Sequence, residues 1–414
     1  MKRNPSQDEI LEIRRPATHS LPVSRTFSGG DSEYTVAARR YRPQTFDQLV
    51  GQQHVTRPLI NAIETNRVAH AFLFSGGSGI GKTSVARIFA KALQCVHGPT
   101  TTPCNRCDIC QCISSGDDVD VIEINGALHR GIDDYLNLLS NVTTRPMRAR
   151  FKIYVVDQID LLTNPAQHSL LDILEEPPAH VKFIFCSSNP DRLPRNMLSR
   201  LQRFDFFPVE IAEIVERLLY IVKNEGVRAE PEALKILAGL ADGSVRGSQS
   251  LLEPLLSLSE GDVITTQSVQ QMLGMAQSSQ LGLLLDRLMS RDVAGALTEL
   301  DASVRVGVDA EVLIQQLLGY YRDMMVVLAG CPAELMRFSP ADDYEQILGY
   351  AKELGLATIL TAMQILGRTE NQMRVMGRGC MLTETALVRI CNLKDLEDSS
   401  SIEAKLRGND SASV

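Results

Sequence analysis

The sequence is constrained most by one run, Gly76-Gly77-Ser78-Gly79-Ile80-Gly81-Lys82-Thr83, which matches G-x-x-x-x-G-K-[ST] in full. An apolar run, Ala71–Ser75, precedes it. Thr83–Leu93 follows, with Val85, Ile88, Phe89 and Ala92 at helical spacing. A glycine-rich turn between strand and helix lets backbone N–H groups curl around phosphates without Cβ clashes, and the helix N-terminus adds its positive dipole. In that setting Lys82 neutralises the β- and γ-phosphates of a nucleotide. The Thr83 hydroxyl ligates Mg²⁺, and Ser84 extends the phosphate-facing turn.

Around this loop the pattern alternates. β runs are expected at Ala71–Ser75, Val119–Ile124, Phe151–Val156, Val181–Ser187 and Arg203–Phe207. Nearly continuous apolar runs are how strands buried on both faces of a parallel sheet read. Helical stretches lie between them, one opening at Pro165 with Leu170, Leu171 and Leu174 along one side. The expected fold class is therefore α/β, a parallel sheet with helices on both faces. Phe151–Val156 ends in Asp157, where such a sheet places the carboxylate that holds Mg²⁺. From about Glu210 no strand pattern persists, and Ile214, Leu218, Ile221 and Leu234, Leu237, Leu240 have helical spacing. The expected organisation is a flexible leader at 1–36, a nucleotide-binding domain at 37–208, a helical lid at 209–274, a helical collar at 278–394 and a tail at 395–414. Residues 272–280, with Gly274, are expected to form a hinge.

Four of the nine cysteines, Cys95, Cys104, Cys107 and Cys110, crowd into one short stretch after the loop helix. In a large chain with no apolar signal core at its start, such a cluster points to metal ligands rather than disulfides. Four thiolates suit tetrahedral Zn²⁺ with no open position, a structural site within a module at 95–112. Cys112 is a rival ligand. A nucleic-acid-binding ribbon is disfavoured, because Arg106 is the only Lys or Arg between the outer cysteines and Asp108 offsets it.

Net charge is −8, so DNA contact would need a local patch or a surface assembled from several subunits. No apolar run approaches the roughly 18 residues that span a bilayer, and a cytoplasmic protein is expected.

A resemblance adds to this. Arg39-Arg40-Tyr41-Arg42-Pro43-Gln44-Thr45-Phe46, Val50-Gly51-Gln52, the phosphate loop and the four cysteines resemble the gamma/tau subunits of the bacterial DNA polymerase III clamp loader, an AAA+ ATPase family. The likeness continues through Phe151–Asp157, Leu174-Glu175-Glu176-Pro177-Pro178, Val181-Lys182-Phe183, Leu193-Pro194 and Leu198-Ser199-Arg200. It is dense from about 37 to 260. It implies that Arg39, Arg42, Val50 and Gly51 lie near adenine and ribose, and that Ser187 or Ser188 senses the γ-phosphate. Arg200 becomes an arginine finger for a neighbouring subunit's ATP, and Arg246 a second sensor from the lid. The collar would hold a pentamer that loads a sliding clamp onto primer–template DNA. Three departures stand out. The family's Asp-Glu is Asp157-Gln158, its Ser-Arg-Cys is Ser199-Arg200-Leu201, and Gly247-Ser248 replaces Asp-Ala. The length is that of the short gamma form. Because Gln158 stands where a catalytic glutamate is expected, a hydrolysis-poor structural subunit that only binds ATP is the alternative expectation. Asp160 is the nearest carboxylate that could substitute.

Overall fold

The computed structural model describes residues 35–128, 142–258, 263–339, 343–376 and 379–393. The expected tail, and the expected leader apart from Thr35 and Val36, lie outside them. No helix among the described residues is long and apolar enough to cross a membrane.

Five strands form one parallel sheet: β1 (Ala71–Ser75), β2 (Val121–Asn125), β3 (Lys152–Asp157), β4 (Val181–Ser187) and β5 (Gln202–Asp205), in the order β2-β3-β4-β1-β5. Burial follows position. Every residue of β1 and β4 is buried, whereas edge strand β5 buries only Phe204. The two-residue period divides each central strand between two cores. Phe72 and Phe74 pack on one face with Ile153, Val155 and Ile184; Ala71 and Leu73 pack on the other with Tyr154, Phe183 and Phe185. The second strand starts later than its apolar pattern suggested. Val119 is exposed, while the Asp118 and Asp120 carboxylates beside it are buried and accept backbone N–H groups from Asp120, Val121 and residues 147–149.

The helices are α1 (Ala37–Arg40), α2 (Gln53–Glu64), α3 (Lys82–Gln94), α4 (Asp108–Ser115), α5 (Asn164–Glu175) and α6 (Arg195–Leu198). Helices α2 and α3 cover the first face and α5 the second. A separate core joins α7 (Ile211–Asn224), α8 (Pro231–Leu240), α9 (Val245–Leu258) and α10 (Thr266–Met272). This region is not purely helical, as its sequence had suggested. Arg228–Ala229 pairs in parallel with Val263–Ile264, a ladder too short to leave any periodicity. A third core joins α11 (Ser278–Met289), α12 (Val293–Arg305), α13 (Ala310–Leu328), α14 (Tyr344–Leu354), α15 (Leu356–Met376) and α16 (Gly379–Cys391). The stretch expected to be a hinge is bonded to this last core. The Gly274 carbonyl accepts from Asp309 N at 2.8 Å, and the Gln316 amide pairs with both Ala276 N and O at 2.9 and 3.0 Å.

Residues 36–50 cross between the first two regions. The α1 end binds the lid: Ala37 N and Tyr41 Oη donate to Glu253 and Glu225, Arg40 pairs with Glu225 at 3.3 Å, and Arg217 donates to the Tyr41 carbonyl. Phe46 is instead buried in the sheet core.

Candidate nucleotide-binding site

The carboxyl ends of β1, β3 and β4 open into a cleft of about 400 Å³. Its floor is the turn from β1 to α3. Gly76 has φ +139°, and a Cβ there would lie 2.4 Å from the Phe206 carbonyl oxygen, so close backbone approach requires glycine. A Cβ on Gly79 (φ +76°) would lie 2.2 Å from Ser244 Oγ. Arg246 N donates to the Gly79 carbonyl at 3.1 Å, so the lid rests directly on the phosphate loop.

Lys82 opens α3 and is nearly buried. Its ammonium donates to the Gly76 carbonyl at 2.6 Å and to the Gly77 carbonyl, and stands 3.5 Å from Ser188 Oγ. Burial pushes its pKa down. Thr83 Oγ1 donates to Asp157 Oδ2 at 2.9 Å. The two groups that would share a Mg²⁺ are thus already adjacent, and a hydroxyl with a carboxylate is a hard-oxygen pair suited to that ion. Burial and the neighbouring Arg87 and Arg246 guanidinium groups lower the Arg42 pKa. The cleft therefore concentrates positive charge, which suits a polyanion.

Of the residues expected at the nucleotide, Arg39, Arg42, Val50, Ser78, Gly79, Ile80, Gly81, Lys82, Thr83, Ser84, Asp157, Gln158, Ser188 and Arg246 line the cleft. Gly76 and Gly77 hold Lys82 from behind. Gly51 faces Glu213, outside the lining. Between the two serines the geometry discriminates. Ser187 is fully buried and donates to Asp160 Oδ1 at 2.8 Å, whereas Ser188 borders the cleft. Gln158 has φ +55°, a turn uncommon for a side chain of this kind. The corner leaves Gln158 in the cleft and sends Asp160 behind it. There Asp160 is buried, accepting from Ser187 Oγ and, at 3.1 Å, from Ser188 N. Asp160 braces the Ser188 loop rather than facing the cleft. Arg200 stands apart from this cleft, on the outer surface, where it donates to Glu175 Oε1 at 2.5 Å and to the Asn196 carbonyl.

Two charged lining residues escaped sequence reasoning. Arg87 forms a two-point pair with Glu123 (2.6 Å at each contact) and donates to the Ser114 carbonyl at 3.0 Å. Arg217 reaches in from α7. Each occupies an amphipathic helix, where an isolated arginine has the same pattern as a solvated charge.

The sulfur atoms of Cys95, Cys104, Cys107 and Cys110 all lie within 4.8 Å of one another. A tetrahedral ion with Zn–S bonds of about 2.3 Å needs sulfur–sulfur edges of about 3.8 Å, so the donor set fits. Backbone N–H groups of Arg106 and Cys107 hold the Cys104 thiol down to about 6, favouring thiolate. Cys112 lies outside the cluster.

Three family models match successive parts of the chain. "DNA polymerase III, delta subunit" matches residues 51–210, "DNA polymerase III clamp loader subunit, ATPase lid domain" matches 213–261, and "DNA polymerase III subunits gamma and tau domain III" matches 264–406. The chain is 34% identical to DNA polymerase III subunit tau of Bacillus subtilis over 86% of its own length and 63% of that protein. It is 39% identical to the Escherichia coli tau subunit over 73% of itself and 47% of that protein. With DNA polymerase III subunit gamma of Buchnera aphidicola (from Acyrthosiphon pisum) it shares 35% identity over 69% of itself and 79% of that protein. The chain thus spans about half to two thirds of these tau relatives and about four fifths of the gamma relative.

Proposed function

The chain belongs to the gamma/tau family of bacterial DNA polymerase III subunits, and from this premise we propose that it is a clamp-loader subunit that binds Mg·ATP and uses its hydrolysis to place a sliding clamp on primed DNA. The observation that carries the reading is the direct seat of the lid on the phosphate loop, Arg246 and Ser244 against Gly79. Nucleotide bound there touches both regions, so its arrival and loss change how they fit together.

The residues divide the work. Lys82 exchanges the Gly76 and Gly77 carbonyls for the β- and γ-phosphates, and Thr83 and Asp157 hold the metal. Magnesium supplies charge neutralisation on the phosphates. Ser188 sits where it can sense the γ-phosphate, held by Asp160. Arg200, on the outer surface and paired there with Glu175, serves the site of an adjacent subunit, which makes turnover depend on assembly. The helical third region supplies the surface for a pentamer. The four cysteines hold Zn²⁺ as a structural ion, and the working compartment is the cytoplasm.

Gln158 favours a second reading, an ATP-binding subunit with weak hydrolysis of its own. A lining amide can hydrogen-bond the attacking water but cannot take its proton. Steady-state ATPase of the purified chain, alone and with clamp, primed DNA and partner subunits, separates the two. Strong stimulation on assembly supports the motor. Tight ATP binding with no stimulated turnover supports the structural subunit. No ATP binding at all defeats both.

A further inference from the structure

Lys91, near the end of α3, is 1% exposed and has no direct part in the cleft. Its ammonium donates to Asn105 Oδ1 at 2.7 Å, Gln44 Oε1 at 2.7 Å and the Gln44 carbonyl at 3.0 Å, with Ser114 Oγ at 3.4 Å. An ammonium has three protons, so the shorter contacts saturate it. All these acceptors are neutral, and a buried charge is retained only where its geometry is fully satisfied.

The acceptors come from places with different duties. Asn105 lies between Cys104 and Cys107 and has φ +52°. Ser114 lies in the last turn of α4, whose N-cap is Cys107 and whose first turn holds Cys110. Gln44 belongs to the segment that brings Arg39, Arg42 and Pro43 to the cleft. The Gln44 amide also donates to the Arg42 carbonyl at 3.1 Å, and Ser114 Oγ donates to Gln44 Oε1 at 3.0 Å. The next residue, Ser115, itself lines the cleft, and Arg87 grips the Ser114 carbonyl from the cleft side. From Asn105, the residue that follows Cys104 in the chain, a series of hydrogen bonds thus runs through Lys91 and Gln44 to the Arg42 carbonyl.

We infer that the four-cysteine module buttresses the nucleotide cleft, and that Lys91 is the positioning residue that transmits its geometry to the Arg39–Gln44 wall. The inference rests on the cleft being the ATP site. A module holding its ion fixes Asn105 and α4. These fix Lys91 and Gln44, and the wall then meets the nucleotide without first having to be ordered. Loosening the module, by metal loss or thiol oxidation, weakens nucleotide binding at a distance.

The test measures ATP affinity by equilibrium dialysis, metal content and thermal stability on the full chain. Asn105→Gly suits the left-handed backbone and removes only the amide that Lys91 bonds. It is expected to keep its metal, to stay folded at the assay temperature with a modest fall in melting temperature, and to bind ATP about fivefold more weakly, the net worth of about one hydrogen bond. Asn105→Asp, which restores an acceptor oxygen and tolerates the same φ, is expected to recover the affinity. Gln44→Ala, outside the module, is expected to lose affinity at full metal content. Its loss should not add to that of Asn105→Gly, because both cut one series. Wild-type affinity in both Asn105→Gly and Gln44→Ala overturns the inference, as does a loss that only follows falling stability. If the wild-type chain binds no ATP, or Lys82→Met binds it as tightly as wild type, the cleft reading itself fails.

Discussion

Helix α3 buries an ammonium near each end, and the two are held in contrasting ways. At the phosphate-loop end, Lys82 leans on two carbonyls of a glycine turn, partners that a phosphate can replace. At the cysteine end, Lys91 is enclosed by Gln44, Asn105 and Ser114, side chains drawn from two different segments, and burial lowers its pKa to about 8 despite the nearby Cys110 thiol. The contrast separates a cation kept for a ligand from one kept for architecture. Exchangeable partners leave binding energy in reserve, while saturating partners spend it on holding the chain in place. The same helix therefore links a site that must change with one that must not.

Breaking the architectural end should have the largest effect on stability. The purified protein is expected to contain about one zinc per chain. Cys107→Ser should lower the opening free energy of the 95–115 segment by at least about 3 kcal/mol, a fraction of the roughly 10–16 kcal/mol such ions contribute to small thiolate domains. Roughly 100-fold faster amide exchange in α4 would register this. The fall in ATP affinity should be smaller, about fivefold. Metal analysis that finds none, in protein never exposed to chelator or oxidant, would remove the zinc half of the comparison.

Arg200→Ala tests whether a neighbouring chain completes the phosphate end. ATP binding to the mutated subunit should stay nearly intact, while hydrolysis at the neighbour's site falls by about 10³–10⁵. Losing the surface pair with Glu175 costs little by itself, about 0–1 kcal/mol. Mixed complexes whose defect lies only in the mutated chain's own site would show that Arg200 acts in cis.

The two ends also differed in what the sequence disclosed. The phosphate loop was legible because its chemistry needs fixed residues at fixed spacing, and the four cysteines because their close spacing brings four sulfur donors together. Central strands β1 and β4 fell on their apolar runs for the same kind of reason, since both faces are covered. Lys91 was illegible: a lysine inside an amphipathic helix looks like solvated charge, and its partners lie 47 and 14 residues away. The paired serines could not be told apart until strand alternation put Ser187 inward against Asp160 and left Ser188 at the cleft. The seat of the lid on Gly79 likewise depends on tertiary packing that no local pattern encodes.

The two lysines can be compared directly. Lys82→Met should weaken ATP roughly 10–100-fold, the worth of a hydrogen bond to a charged group, and leave melting unchanged or slightly raised, because a poorly compensated buried charge is gone. Lys91→Met should do the reverse, lowering stability by about 1–3 kcal/mol as buried acceptors lose their donor, with a smaller effect on ATP. Calorimetric melting and ATP titration of both variants check the pattern, and equal melting losses would erase the distinction between the two ends.

The smallest expected effect concerns Gln158, at the phosphate end. In ATPases of this type a carboxylate beside the Mg²⁺-site aspartate polarises the attacking water. Gln158 lies in the cleft next to Asp157 and is an uncharged amide. General-base help is worth about 10²–10⁴ in rate. Asp160, the carboxylate that could have replaced it, is engaged by Ser187 and the Ser188 backbone and does not line the cleft. The wild-type chain should therefore bind ATP and turn it over slowly. Gln158→Glu should raise the rate at least roughly tenfold, a small part of the general-base range, because a glutamate at a left-handed corner must share the cleft with Asp157. Asp160→Asn should act through the serine loop, keeping hydrogen-bond capacity and costing little turnover. Single-turnover hydrolysis in the assembled complex reads both variants. A fast wild-type rate, unmoved by Gln158→Glu and abolished by Asp160→Asn, would show that Asp160 leaves its serine partners and serves as the base once nucleotide is bound.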